Sequence, residues 1–243
     1  MHTEILFYLL LLLVAFLYAS VGHGGASGYL ALMALYSFTP ETMRPTALLL
    51  NIIVSLIAFI QYSRSGYFRW KLFWPFAVTS IPASFAGALI IIDPGLYKMI
   101  LGILLLFPVI KLAGINFKSE KNIQKQNLLL SLLIGAIIGL FSGMIGIGGG
   151  IILSPLILLL HWADMKQTAA VSALFIFVNS LAGLAGIFTT GFDYKPEMGI
   201  MIAIAFTGGL AGSYFGAKKF ESALLKKILA AVLLIAAVKL IFT

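Results

Sequence analysis

The chain is a succession of apolar runs cut by charged or Pro/Gly breaks, at about residues 5 to 37, 45 to 62, 72 to 92, 96 to 115, 128 to 160, 168 to 190, 197 to 217 and 224 to 242. Six of these eight runs have the roughly 17–25 residues that a helix needs to cross about 30 Å of hydrocarbon. The pattern leaves room for one fold class, an all-α integral membrane protein. Composition agrees. Of the 243 residues 61% are hydrophobic and 10% charged, against roughly 45–50% apolar and about 25% charged in an average soluble domain. The opening stretch, Met1 to Ser20, carries His2 and Glu4 but no Lys or Arg. It reads as a retained membrane segment, since a secretory signal needs a positive start.

Several function classes drop out at once. Cysteine is absent, which removes disulfides, thiolate nucleophiles and cysteine-ligated metals. The net charge of +8 does not read as a nucleic-acid footprint, because the Lys and Arg residues stand in short clusters between apolar runs, where membrane topology places them. The three histidines, at 2, 23 and 161, have no metal-ligand spacing, and the eight Asp and Glu residues fall at run ends or in loops. Neither metal nor cofactor is expected. An intramembrane hydrolase built on His23 and Ser142 is a remote alternative, since nothing in the sequence brings the two within reach.

The first and fifth runs are the odd ones. Each spans about 33 residues, roughly 50 Å as a continuous helix at about 1.5 Å per residue. Each is interrupted by glycines, Gly22-His23-Gly24-Gly25-Ala26-Ser27-Gly28 in one and Gly143-Met144-Ile145-Gly146-Ile147-Gly148-Gly149-Gly150 in the other. Gly22-x-Gly24-Gly25 aligns with Gly146-x-Gly148-Gly149 at an offset of 124. With small drift Ser55 then matches Ser180, Gly66 matches Gly191, Pro82 to Gly87 matches Thr207 to Gly212, and Lys98 and Lys111 match Lys226 and Lys239. The expected organisation is two tandem four-segment repeats, 1–115 and 128–243, joined by a polar linker at 116–127. Internal duplication of this kind is a sequence signature of secondary transporters.

Charge counting separates two topologies. With all eight runs crossing, Lys and Arg divide 9 to 7 between the two sides. If runs one and five instead turn at their glycines and return, the division becomes 12 to 4. A strong Lys/Arg excess marks the cytoplasmic side, so the re-entrant arrangement is expected, with inverted repeats and both termini outside.

Backbone without helical hydrogen bonds survives in hydrocarbon only where protein buries it or it lines a wet cavity. Two such breaks in matching places point to a site. Beyond them, half-helices are expected from about Gly28 and about Gly150, whose first N–H groups carry partial positive charge and suit an anion. The candidate substrate-binding residues are Gly22, His23, Gly24, Gly25, Ser27, Ser142, Gly146, Gly148, Gly149, Gly150 and Ser154 around the breaks, with Asn51, Ser55, Asn179 and Ser180 on the runs that follow. His23 is the ionisable group of the glycine clusters, facing Ile147 in the alignment. Its reading stays open between contacting an anion, carrying a proton and bonding a helix end. Gly135, Gly139, Gly143, Gly212 and Gly216 read as helix-packing surfaces. Pro82, Pro108 and Pro155 read as kinks, and Trp70, Trp74 and Trp162 as interfacial anchors.

These residues resemble the sulfite exporter TauE/SafE family of bacterial membrane transporters over essentially the whole length. The features that carry the resemblance are Val21-Gly22-His23-Gly24-Gly25, the glycine motif from Gly143 to Gly150 ahead of a helix with Pro155, and the helix starts Thr46-Ala47 and Thr168-Ala169. The resemblance implies movement of sulfite, sulfoacetate or related organosulfonates across the bacterial inner membrane. Residues and resemblance together lead to the expectation of a small-anion carrier working by alternating access, with the two half-helix ends closing on an oxyanion from opposite sides. An anion channel would use the same backbone. The expected partners are the anion and the bilayer, with a homodimer left open.

Overall fold

The computed structural model describes residues 2–20, 22–112, 123–192, 194–218, 233–235 and 237–242. Among them the regular structure is helical: α1 (His2–Ser20), α2 (Ala26–Leu35), α3 (Pro40–Arg64), α4 (Trp70–Leu89), α5 (Pro94–Leu112), α6 (Leu128–Ile145), α7 (Gly150–Leu159), α8 (Met165–Thr190) and α9 (Pro196–Lys218), followed by helical turns within 233–242. Five of these helices, α3, α4, α6, α8 and α9, are long and apolar enough to cross a membrane. The chain is a multi-pass membrane protein.

Local chemistry sets the helix boundaries. Pro40 opens α3, where its missing N–H costs nothing. Asn127 caps α6 by accepting the N–H of Leu130 at 3.0 Å, and Asp164 with Gln167 forms a capping box on α8. Glycine ends the two broken runs. The caps Gly25 (φ 99°), Gly146 (φ 85°) and Gly149 (φ 76°) take left-handed backbone that a Cβ would disfavour. Of the linker, residues 123–127 lack regular structure, and 116–122 lie outside the described residues.

Both broken runs double back. Phe7, near the start of α1, packs its ring on Tyr36 and Phe38 beyond the end of α2, with centroids 5.0 and 5.5 Å away. Likewise the N–H of Gln124, ahead of α6, donates to the carbonyl of His161 beyond α7 at 2.8 Å. Each pair of half-helices is therefore a hairpin that returns to the end it left. The lysines follow the same geometry. Lys195 Nζ donates to Thr42 Oγ1 at 3.1 Å, and Lys239 Nζ donates to the Ala34 carbonyl and to Ser37 Oγ, so these basic groups share an end with the α2–α3 turn. Lys166 meets the hydroxyl and ring of Tyr67, in the α3–α4 turn at the opposite end of α3.

Two parallel helix pairs flank a central antiparallel one. Gly135, Gly139 and Gly143 of α6 lie against the backbone of Phe76, Ser80 and Ser84 of α4; both registers advance by four residues, so the helices run parallel at close range. On the other flank Gly208 and Gly212 of α9 lie against the carbonyls of Leu12 and Phe16 of α1. Between them α3 and α8 run antiparallel, with Leu48 beside Gly183 at one end and Tyr62 packed on Ala169 and Ala170 at the other. Small residues let backbones approach where no hydrophobic force draws helices together.

Two expectations change here. Trp162 is not an interfacial anchor; it is buried with its ring 6.1 Å from that of Phe76, because the segment beyond α7 packs against Leu72, Phe73 and Phe76 of α4, whereas Trp70 and Trp74 are exposed. Arg44, outside the expected run of 45 to 62, lies within α3, which tolerates Pro45 and starts at Pro40. Pro82 and Pro155 sit inside helices as expected; the Pro108 side chain and most of the last run lie outside the described residues.

Candidate functional site

The two breaks meet in the centre of the molecule. In the first, the N–H groups of Gly22 and His23 bond back to the carbonyls of Ala19 and Tyr18 at 3.1 and 2.9 Å, closing α1. The next helix starts at Ala26, two residues ahead of the expected Gly28. In the second, Gly146 N–H closes α6 on the Ser142 carbonyl at 2.8 Å, and α7 starts at Gly150 as expected.

Asn51, buried on α3, joins them. Its Oδ1 accepts the N–H of Ala26, the first residue of α2, at 3.0 Å, and its Nδ2 donates to the Ile147 carbonyl at 3.2 Å. Gly24 and Gly148 both press on this side chain. A Cβ on Gly24 would stand 2.6 Å from Asn51 Oδ1, one on Gly148 2.5 Å from Asn51 Nδ2, and each would also strike Ile176. The glycines are there because the breaks and the Asn51 amide occupy adjoining space.

A second connection runs through His23, which is 5% exposed. Its Nε2 is 2.9 Å from Ser154 Oγ on α7, and Ser154 Oγ is also within 2.9 Å of the Gly150 carbonyl and 2.8 Å of Ser172 Oγ on α8. Ser27 Oγ pairs with Tyr18 OH at 2.6 Å. Asn179 acts differently. Its Nδ2 donates to Ser80 Oγ at 3.0 Å and to the Phe175 carbonyl at 2.8 Å, and Ser84 Oγ donates to its carbonyl at 2.8 Å, so it fastens α8 to α4.

Buried polar groups without a partner complete the picture. The hydroxyls of Ser55, Ser142, Ser180 and Tyr29 and the Oδ1 of Asn179 are buried and unbonded. Ser180 Oγ lies 3.0 Å from the place a Gly148 Cβ would take, and Ser142 Cβ lies 3.6 Å from the corresponding point on Gly149. Arg44 Nε and Thr168 Oγ1 are buried and unbonded as well. Buried polar atoms normally find partners, and the hydroxyls of Tyr29, Ser142 and Ser180, which lie against Gly25, Gly149 and Gly148, have protons to offer a ligand that accepts hydrogen bonds. Among the described residues no three His, Cys, Asp or Glu side chains gather as a metal site would require. A separate cavity of about 370 Å³ opens between the α2–α3 turn and the start of α9, lined by residues including Thr42, Lys195 and Glu197 but by no residue of the breaks.

Comparison with known proteins places this sequence in a family. The sequence profile of the family described as "Sulfite exporter TauE/SafE" matches residues 7–240. The chain belongs to the TauE/SafE family. It is 35% identical over 235 residues, 94% of each chain, to a Sinorhizobium fredii protein named "Probable membrane transporter protein". A Methanocaldococcus jannaschii protein of the same description is 29% identical over 147 residues, covering 59% of this chain and 55% of its own. No solved structure matches. Family and relatives are named as transporters and not enzymes, and this TauE/SafE member is a membrane transporter.

Sequence reasoning missed Ile176, Ser172, Tyr29 and Arg44. Ile176 had a signal, since it stands 125 residues after Asn51, the spacing that separates Ser55 from Ser180. Arg44 Nη2 donates to the carbonyls of Ala88 and Gly143, near the ends of α4 and α6, at 3.1 and 3.0 Å, and its own backbone packs on Gly146. Its signal was hidden by reading Pro45 as the start of the run.

Proposed function

We propose that this TauE/SafE transporter is a secondary carrier of small sulfur-containing oxyanions, sulfite or an organosulfonate, held between the two glycine breaks. The observation that carries the reading is the junction at Asn51, where two half-helix beginnings converge beside the unpartnered hydroxyls of Ser55, Ser142 and Ser180. Helix N-termini and hydroxyl donors favour an oxyanion. The family description supplies the substrate class. Gly22, His23, Gly24, Gly25, Ser27, Gly146, Gly148, Gly149, Gly150 and Ser154 form the walls of this site in the proposal, and Asn179 acts through α8, whose Ser180 it adjoins.

Alternating access finds support in contacts that occur twice. Gly22 abuts Ala169, and Gly146 abuts Arg44; Val54 abuts Gly209, and the Asn179 carbonyl accepts from Ser84 Oγ. In each pair, residues of one contact lie 124 or 125 positions from their counterparts in the other. This pattern favours two inverted repeats, 1–115 and 128–243, that rock against each other about a shared centre. The 12 to 4 division of Lys and Arg favours an inner-membrane orientation with both termini outside.

The experiment is anion flux into proteoliposomes holding the purified chain, with sulfite, thiosulfate, sulfoacetate and chloride as the panel. Saturable movement of a sulfur oxyanion, weakened in Ser180→Ala, is the expected result. Flux that never saturates makes the protein a channel, and no flux through folded protein removes the reading.

A further inference from the structure

We propose that His23 carries one proton with each anion, so that anion movement is coupled to a proton gradient; this rests on the oxyanion-carrier reading above. His23 is the ionisable side chain of the two glycine breaks, and Ile147 holds the matching place in the second. Its Nε2 contact with Ser154 ties the first break to the half-helix that leaves the second. Ser154 Oγ has one proton and two lone pairs. Ser154 directs that proton to the Gly150 carbonyl or to Ser172 Oγ, and in either case keeps a lone pair for an N–H on His23 Nε2. Imidazolium donates at both ring nitrogens and fits this arrangement; the neutral ring fits it in one of two tautomers.

Charge then decides the coupling. The elements packed around the first break bring titratable Tyr18 from α1, Tyr29 from α2 and Tyr62 from α3, while α7 and α8 bring the hydroxyls of Ser154 and Ser172. The charged side chains of those helices, Glu4, Glu41, Arg44, Arg64 and Lys166, stand near helix ends. No carboxylate of the sequence falls inside an apolar run. A buried imidazolium is therefore costly here without an added anion. A buried oxyanion is costly too: helix-end partial charges meet it, and the full positive charge near the second break, that of Arg44, already serves the Ala88 and Gly143 carbonyls through Nη2. Bound together they cancel, and by reciprocity each raises the affinity of the site for the other by the same factor. A singly charged anion then crosses without net charge and a dianion such as sulfoacetate with one negative charge, so that with the membrane potential held at zero the driving force is the sum of the anion gradient and the proton gradient.

The test uses the full chain in proteoliposomes, with the potential clamped by potassium and valinomycin and sulfoacetate equal on both sides. Sulfoacetate is the probe because its charge is constant across about pH 5–8, where histidine titrates. A pH step is expected to drive sulfoacetate to the alkaline side, with a trapped pH dye reporting one proton per anion. In His23→Gln the pH-driven accumulation and the proton signal are expected to vanish, whatever its downhill rate. Ser154→Ala, which removes the Nε2 contact, is expected to move the pH of half-maximal accumulation. A wild-type chain that moves sulfoacetate downhill yet ignores the pH step overturns proton coupling and leaves the carrier reading standing. Coupling retained in His23→Gln overturns the role of His23. Folded protein that moves neither sulfite nor sulfoacetate overturns the carrier reading itself.

Discussion

The side-chain amide of Asn51 donates to the carbonyl of Ile147 across 96 positions of sequence, at 3.2 Å. With the bond from Ala26 N–H to its Oδ1, one side chain satisfies a donor at the first break and an acceptor at the second. Leucine at this position would fill similar volume and leave both groups buried without partners. Each such group costs about 1–3 kcal/mol, so Asn51→Leu is expected to lower the unfolding temperature in detergent and to abolish anion flux. A variant as stable as the wild type would mean that the bridge contributes nothing.

Gly148 and Gly66 share a backbone conformation and differ in surroundings. Their φ values are 75° and 79°, but a Cβ on Gly148 would stand 2.5 Å from Asn51 Nδ2 and 3.0 Å from Ser180 Oγ, while one on Gly66 meets nothing within 4 Å. Left-handed backbone costs an alanine about 1–2 kcal/mol at either site. Only Gly148→Ala also pushes on the proposed anion site, where about 1.4 kcal/mol is tenfold in affinity. Sulfite flux titrations are expected to give Gly66→Ala a near-normal half-saturation and Gly148→Ala one raised tenfold or more. Equal values for the two would detach Gly148 from the site.

Much of this architecture was legible because membrane physics is severe. Hydrocarbon forces long apolar helices, so run lengths located most of the crossings, and the glycine clusters marked both breaks because irregular backbone is tolerated there for few reasons. Individual partners were less legible. Nothing local to Asn51 says that it reaches Ile147 or Ala26, and nothing near Asn179 says that it turns to Ser80, since both depend on how α3, α4 and α8 cross. Trp162 misled for a related reason: a tryptophan after an apolar helix is expected at the interface, but the way the segment beyond α7 lies on α4 covers its ring with Phe76.

Arg44 supplies a stability prediction. A single nitrogen, Nη2, serves the carbonyls of both Ala88 and Gly143, and these lie where the parallel α4 and α6 end. A cation there meets the negative ends of two helix dipoles, each interaction typically about 0.3–1 kcal/mol and more when partly buried. Arg44→Gln is expected to lose about 2 kcal/mol of stability. Because one nitrogen makes both bonds, Arg44→Lys is expected to recover a good part of it. Thermal unfolding of the three proteins in one detergent checks the order, and a lysine variant no better than glutamine would contradict the account.

Gly143 and Gly199 give the same chemical change opposite signs. In α6 a Cβ on Gly143 would collide with the carbonyl oxygen of Ser84 and stand 2.8 Å from the backbone nitrogen of Ala88, so α4 and α6 must move apart to admit it. In α9 a Cβ on Gly199 would meet the hydroxyl of the exposed Tyr194 at 2.8 Å, the far end of a side chain free to swing aside. Overpacking against rigid backbone costs about 1–3 kcal/mol. Replacing a helical glycine where space permits gains about 0.4–1 kcal/mol, chiefly by restricting the unfolded chain. Gly143→Ala is therefore expected to melt below the wild type and Gly199→Ala slightly above it. If Gly143→Ala proved neutral, α4 and α6 would have to lie farther apart than their glycine contacts place them.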